Sequence, residues 1–266
     1  MRSERPDRPV YTAAAMTNVL DGIRVLDFGR YIAGPYCAAL LADLGADVIR
    51  IERIGGGEDR WVAPINEDGI GAMYVTMNRN KRGMTLDPSS PEGREIVKKL
   101  VATADVVVAN LPPEVLKSLA LDLESLRHVK PDIILTTVTA FGAGGPWSHK
   151  HGFDGIGQVM SGAAYMTGTL EQPYRAAVAW VDFGTASLAA FGTLAALMER
   201  GQSGRGQKVE GALLRTAVAF KTGDFKPDFH ALATESTIIL PWDREILIDG
   251  ELVPNPLYSA VLEPDE

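Results

Sequence analysis

The sequence predicts an α/β fold, a doubly wound and mostly parallel sheet with helices on both faces, and three observations carry that expectation. Short apolar runs rich in β-branched residues alternate with segments of helical spacing across residues 23–213. The connections are short, so each strand, helix and next strand close into a unit that favours parallel pairing. Proline, serine and glycine stand where helix starts and stops place them.

Residues 23–28, IRVLDF, read as the first strand, and GPYCAALLADLG as the next helix, with Gly45 as its C-terminal glycine. The second strand is DVIRIER, residues 47–53. SSPEGREIVKKLVATADVVVAN repeats the pattern, with Ser90 as N-cap, Pro91 at the first helical position and Glu92 in the first turn. Its helix leads into a strand at 105–110. PDIILTTVTAF is a further strand, residues 183–200 form a long helix followed by Gly201, Gly204 and Gly206, and QKVEGAL returns to the sheet. Residues 18–220 are read as one domain and 1–17 as a flexible leader with Met16 as an alternative start. Residues 221–266 are left as an unassigned extension, because prolines and scattered acids replace the periodic pattern there.

Composition narrows the function. At 266 residues, 46% hydrophobic and 23% charged, the chain can bury a substantial core. A net charge of -8 argues against a general role on nucleic acid. Cys37 is the only cysteine, so an intrachain disulfide is impossible, and neither a secretion signal nor an apolar stretch long enough to span a bilayer is recognised. A cytoplasmic protein without a membrane partner is expected. His128, His149, His151 and His230 lack metal-ligand spacing, and G-x-S-x-G is absent, so metal and serine-hydrolase chemistry are not expected.

Several residues carry alternatives. Gly29 and Gly34 follow the first strand and Glu52 ends the second, but GRYIAGP is not G-x-G-x-x-G, so turn glycines are favoured over a dinucleotide site. The helix start near Gly34 still offers backbone N–H groups to an anion or carbonyl. Arg50, Arg53, Arg79, Lys81 and Arg82 form either a phosphate site or a solvated basic edge. Asp182, in AWVDFGTASLAAFG, has two candidate roles. It either caps the helix starting near Phe183, worth about 1 kcal/mol, or attacks an acyl carbonyl from among small residues that leave room for a ligand. Asp154, in HGFDGIGQ, carries a similar pair of readings, and a loop residue making an Asx turn is favoured over an accessory carboxylate near the pocket.

These stretches resemble the class III CoA-transferases, the group that includes formyl-CoA transferase, carnitine CoA-transferase and α-methylacyl-CoA racemase. LDGIRVLDFGRYIAGPYCAALLADLGADVIRIE looks like the family's opening, NRNKRGMTLDPSSPEGREIVKKL like its N-K-R segment, and SGRGQKVEGALL like its G-R-G-Q signature. The resemblance implies a Rossmann-like CoA-binding domain over 18–220, with the family's second domain largely missing. It carries the nucleophile onto Asp182 in VDFGTAS, and with it a ping-pong exchange through an aspartyl anhydride and an aspartyl-CoA thioester. It places CoA against Ile32, Ala33, Arg53, Asn80, Lys81, Arg82 and Asn110. Ser118 stands where many members have an arginine, with Lys117 beside it as a substitute. Phe153, in GFD, replaces the histidine of the racemase branch and cannot shuttle protons, which favours a transferase over a racemase. The resemblance further implies acyl-CoA as substrate with no tightly bound cofactor, a small carboxylic acid as acceptor, and a homodimer or a heteromer with a longer homologous chain. The alternative is a non-catalytic CoA-binding subunit.

Overall fold

Four consecutive apolar residues in β4 (Val106–Ala109) send their side chains to two different cores, as strand geometry requires. Val106 and Val108 join the core that holds Val25, Val48, Ile134 and Val209, whereas Val107 and Ala109 join the one that holds Leu26, Ile49, Ile51 and Leu135. A strand buried on both faces belongs inside a sheet covered by helices on each side.

The computed structural model describes residues 18–169 and 171–222, together with the backbone of two short strands further on. The leader expectation and most of the extension lie outside the described residues. With β1 (Arg24–Asp27), β2 (Asp47–Glu52), β3 (Lys81–Thr85), β5 (Ile134–Thr139) and β6 (Lys208–Ala212), β4 forms a six-stranded sheet in the order β3-β2-β1-β4-β5-β6. Every neighbouring pair is parallel. The chain steps outward from β1 to β3, returns beside β1 as β4 and steps outward again. This leaves a switch point between β1 and β4, where a doubly wound sheet opens a crevice at its C-terminal edge.

One face is covered by α1 (Ala33–Asp43), α8 (Trp180–Ser203) and α9 (Leu213–Thr222), the other by α3 (Pro91–Val101), α4 (Pro113–Ser118) and α5 (Leu123–Val129). The short helices α2 (Ala72–Met77), α6 (Asp154–Met160) and α7 (Ala163–Thr167) sit in the connections. Helix α3 starts as its sequence indicates: the Ser90 hydroxyl accepts the Gly93 N–H at 3.0 Å, with Pro91 first in the helix. Gly45 follows α1 at a φ of +100°, the left-handed region that suits glycine.

Helix α8 is longer than the 183–200 expected. It begins at Trp180, runs through Gly201 and ends at Gly204, whose φ is +73° and whose N–H bonds the Arg200 carbonyl at 2.8 Å. It is 24 residues long and contains an 18-residue window of mean hydropathy 1.4, long and apolar enough by length and composition to cross a bilayer, which corrects the reading that the chain has no such stretch. In the fold its small side chains Ala186, Ala189 and Ala190 pack into the core, and its buried Thr193 hydroxyl meets that of Thr136 at 2.7 Å. In the extension left unassigned above, β7 (Glu245–Ile248) and β8 (Glu251–Pro254) pair antiparallel, with Ile248 opposite Glu251.

Candidate active site at the switch point

The geometry of the switch point begins with Tyr31, whose φ of +61° places a bulky residue in the left-handed region. Such a backbone persists only when its surroundings hold it. The Asn110 side chain, just after β4, accepts the Arg30 N–H at 2.7 Å and donates to the Arg30 carbonyl at 2.8 Å, clamping that peptide from across the switch point. Asp59 accepts the Tyr31 N–H at 3.3 Å, Asp27 accepts the Gly29 N–H at 2.8 Å, and Arg50 donates to the Gly29 carbonyl.

Those three charged groups form a network buried to 1% exposure or less, in which Arg50 pairs with Asp59 at 2.7 Å and with Asp27 at 3.5 Å. Lys81, also buried, bonds Asp27 at 2.8 Å, the Pro35 carbonyl at 2.7 Å and Asn78 at 3.0 Å. Burial pushes the Asp27 carboxyl up, but Lys81 and Arg50 outweigh it and hold the group below its usual range. Arg50 therefore belongs to an ionic core that shapes the first connection, and neither of its two readings, phosphate site or solvated basic edge, describes it. Glu52 is likewise engaged, by Arg60 at 2.7 Å, the Gly57 N–H at 3.1 Å and the Tyr74 hydroxyl, and offers nothing to a ribose.

Above this floor lies a cleft of about 200 Å³. Ile32 and Ala33 enter it from the start of α1, Asn110 from the end of β4, Ala140 from beyond β5, and residues 148–153 form a wall. Helix α1 has no side-chain cap, so its first-turn N–H groups are left for another acceptor. Phe153 stands edge-on to Tyr31, their ring centroids 5.4 Å apart.

Asp182 completes the cleft and is 8% exposed. It is the third residue of α8, and the cap position belongs to Ala179, so the expectation that Asp182 caps the helix is overturned. The cap comes from elsewhere: Asp154 Oδ1 accepts the N–H of Val181 at 2.8 Å and that of Asp182 at 3.2 Å. Asp154 is thus the buried first residue of α6 bonded across 27 and 28 positions, not an Asx-turn residue in a loop. Gln158, one turn on, donates to Asp154 Oδ2 and accepts the Ala176 N–H at 2.8 Å. No donor among the described residues bonds the Asp182 carboxylate. Burial, and secondarily the charge of Asp154, push it up from 3.8 to about 7.

The structure brings Ile32, Ala33, Asn110 and Asp182 together and places the other expected residues elsewhere. Arg53, at the end of β2, bonds the Gly56 carbonyl at 2.8 Å and Glu58 at 3.3 Å. Asn80 donates to Asp43 at 2.8 Å, as Arg79 also does, and Arg82 pairs with Asp47 at 2.7 Å at the opposite, N-terminal edge of the sheet. Three cleft residues, Arg30, Tyr31 and Lys150, carry no sequence signal that marks them as site residues. His149 and His151 were weighed only as metal ligands, although they line the same wall.

The CoA-transferase family III model matches residues 20–236. The chain is 41% identical over 203 residues to a succinate–glutarate CoA-transferase of Agrobacterium fabrum, covering 73% of this chain and 51% of that protein. It is 38% identical over 200 residues to a formyl-CoA:oxalate CoA-transferase of Rhodopseudomonas palustris, covering 74% and 47%. Among solved structures, a CAIB/BAIF family protein from Brucella suis superposes with a TM-score of 0.74 at 36% identity, covering 79% of this chain and 57% of that one. The chain spans about half the length of the curated relatives it matches. On fold and sequence together, the chain belongs to CoA-transferase family III.

Proposed function

We propose that this chain carries the nucleophilic half of a CoA transfer, moving CoA from an acyl-CoA donor to a small carboxylic acid. One observation carries the reading: a buried carboxylate, unbonded by any donor among the described residues and raised to about 7, faces a cleft at the switch point of a doubly wound sheet. A more basic carboxylate is a better nucleophile, and a dry pocket keeps water from its acyl products.

In the first step an Asp182 oxygen attacks the thioester carbonyl carbon; the C–O bond forms, the C–S bond breaks, and CoA leaves as thiolate with the electron pair. The thiolate then attacks the Asp182 carbonyl carbon, releasing the donor acid as carboxylate and leaving an aspartyl-CoA thioester. The acceptor carboxylate attacks that thioester, and the freed thiolate takes the acceptor acyl group, restoring Asp182. The uncapped first-turn N–H of Ala33 would receive the thioester oxygen as charge gathers there. Drug-sized ligands fill pockets of about 300–1,000 Å³, so a cleft of about 200 Å³ suits the acyl end of CoA, with the nucleotide outside it. Arg53 lies at the same edge of the sheet and is the outer phosphate partner; Asn80, Lys81 and Arg82 act indirectly, by securing α1 and β2. Exposed Val159, Tyr165, Met166, Tyr174 and Val178, on α6, α7 and the segment leading into α8, support an assembly in which a second chain covers them.

The test is covalent trapping. The full chain is incubated with succinyl-CoA or formyl-CoA and then hydroxylamine, and peptides are mapped by mass. A hydroxamate at Asp182, absent from an Asp182→Asn protein, is the expected result; no adduct with any short acyl-CoA donor overturns the reading.

A further inference from the structure

We propose that Asp154, oriented by Gln158, is a positioning residue that supplies from α6 the N-cap α8 lacks, and so holds the Asp182 carboxylate free and basic. The inference rests on the reading of Asp182 as nucleophile and adds what makes it one.

A carboxylate in the first turn of a helix normally gains from the N-terminal dipole and from nearby unpaired N–H groups, and both effects lower its pKa. At α8 those donors are already taken, because Asp154 Oδ1 holds the Val181 and Asp182 N–H groups. Asp182 is therefore released from its own backbone and stays in the cleft. The charge that displaces it is negative, so the two carboxylates repel, and acylation of Asp182 removes one charge of the pair. The arrangement favours the step in which Asp182 becomes neutral as an acyl anhydride.

Gln158, 1% exposed, holds Asp154 in that position with a neutral donor. Its amide donates to Asp154 Oδ2 and, at 3.4 Å, to the Val178 carbonyl, while its carbonyl accepts the Ala176 N–H at 2.8 Å. The chain leading into α8 is thereby fixed to α6. A lysine in its place would orient Asp154 equally well but cancel its charge; a neutral amide orients and leaves the repulsion intact. Among the described residues, the other charged or titratable groups lining the cleft are Arg30 and Tyr31 on the β1–α1 connection and His149, Lys150 and His151 on the wall. Arg175 packs against Gly155 of α6, Lys221 of α9 bonds the Ser161 carbonyl, and α1 presents Tyr36 to Phe183.

The experiment titrates the Asp182 carboxyl directly, by carbon NMR of the full chain labelled at aspartate and assigned with Asp182→Asn, beside the pH profile of adduct formation. The unmodified protein is expected to show a midpoint near 7; a midpoint near 4 overturns the inference whatever the variants do. In Asp154→Asn, which keeps the cap oxygen and removes the charge, the midpoint should fall by one pH unit or more and the acid limb of adduct formation should follow it. Gln158→Lys should lower it similarly, and Asp154→Glu should restore it. An unmoved midpoint in a folded Asp154→Asn or Gln158→Lys protein refutes the proposal. Failure of the two readings is separable: no adduct with a raised midpoint sinks the nucleophile, whereas an adduct with an unmoved midpoint sinks the role of Asp154.

Discussion

Asp182 is more costly to the fold when ionised than any neutral side chain of its shape would be. Its folded-state pKa of about 7 lies above the ordinary 3.8, so the folded chain binds this proton more tightly than the unfolded one. The contribution to stability is full below about pH 4 and is lost as pH rises through 7. A shift of that size corresponds to about 4 kcal/mol. Asp182→Asn is therefore expected to abolish adduct formation and to raise stability towards urea by up to that amount at pH 8, with little gain at pH 4. Equal stability of the two proteins at pH 8 would show that the carboxylate is not held in a dry site. Loss of function with gain of stability is the signature of a group placed for chemistry.

At the scale of elements, the site depends on the connection between β1 and α1, and that connection depends on Asn110. Asn110→Ala removes both bonds to the Arg30 peptide and leaves partly buried backbone groups unpaired, at a cost of about 1–3 kcal/mol. Hydrogen exchange should then show protection lost at residues 30–33 with α3 unaffected; unchanged protection at 30–33 would remove Asn110 from the design of the cleft. What sequence could reveal of these elements follows from the range of their determinants. Helix α3 is legible because Ser90, Pro91 and Glu92 settle its start within three residues. The start of α8 was misplaced by one turn because Ala179 carries no cap, and the capping oxygen sits 27 positions upstream. Lys81 and Arg82 read as an anion site for the same reason, since the acids that claim them, Asp27 and Asp47, are 54 and 35 positions away. Asp249-Gly250 between apolar runs is a local hairpin signal, and Ile248 and Glu251 on either side of it pair.

Over the whole molecule two sets of carboxylates act in opposite senses, and their sum fixes how the protein responds to pH. Burial raises Glu52, but its bonds from Arg60, Tyr74 and the Gly57 N–H bring it from 4.5 down to about 2. Asp27 and Asp47 are also held below their usual range against burial, by Lys81 and Arg50 in the first case and by Arg24 and Arg82 in the second. The stability these groups provide is complete above their unfolded values and disappears as pH falls through the folded ones, with Glu52 alone accounting for about 3 kcal/mol. Asp182 does the reverse, withdrawing stability between about pH 4 and 7. The protein should therefore be most resistant to urea at mildly acidic pH, with the transition midpoint declining on both sides. The two limbs have separate owners, which makes the expectation decisive. In Asp182→Asn the decline towards pH 8 should flatten while the acid decline stays, because the ionic core beneath the first connection is untouched; in Tyr74→Phe, which removes one donor to Glu52, the acid decline should be smaller and end at higher pH while the alkaline limb stays. A urea midpoint that climbs steadily to pH 8 in the unmodified chain would contradict a raised Asp182. An acid limb unmoved by Tyr74→Phe would show that the Glu52 cluster is not what secures the sheet edge on which the cleft is built.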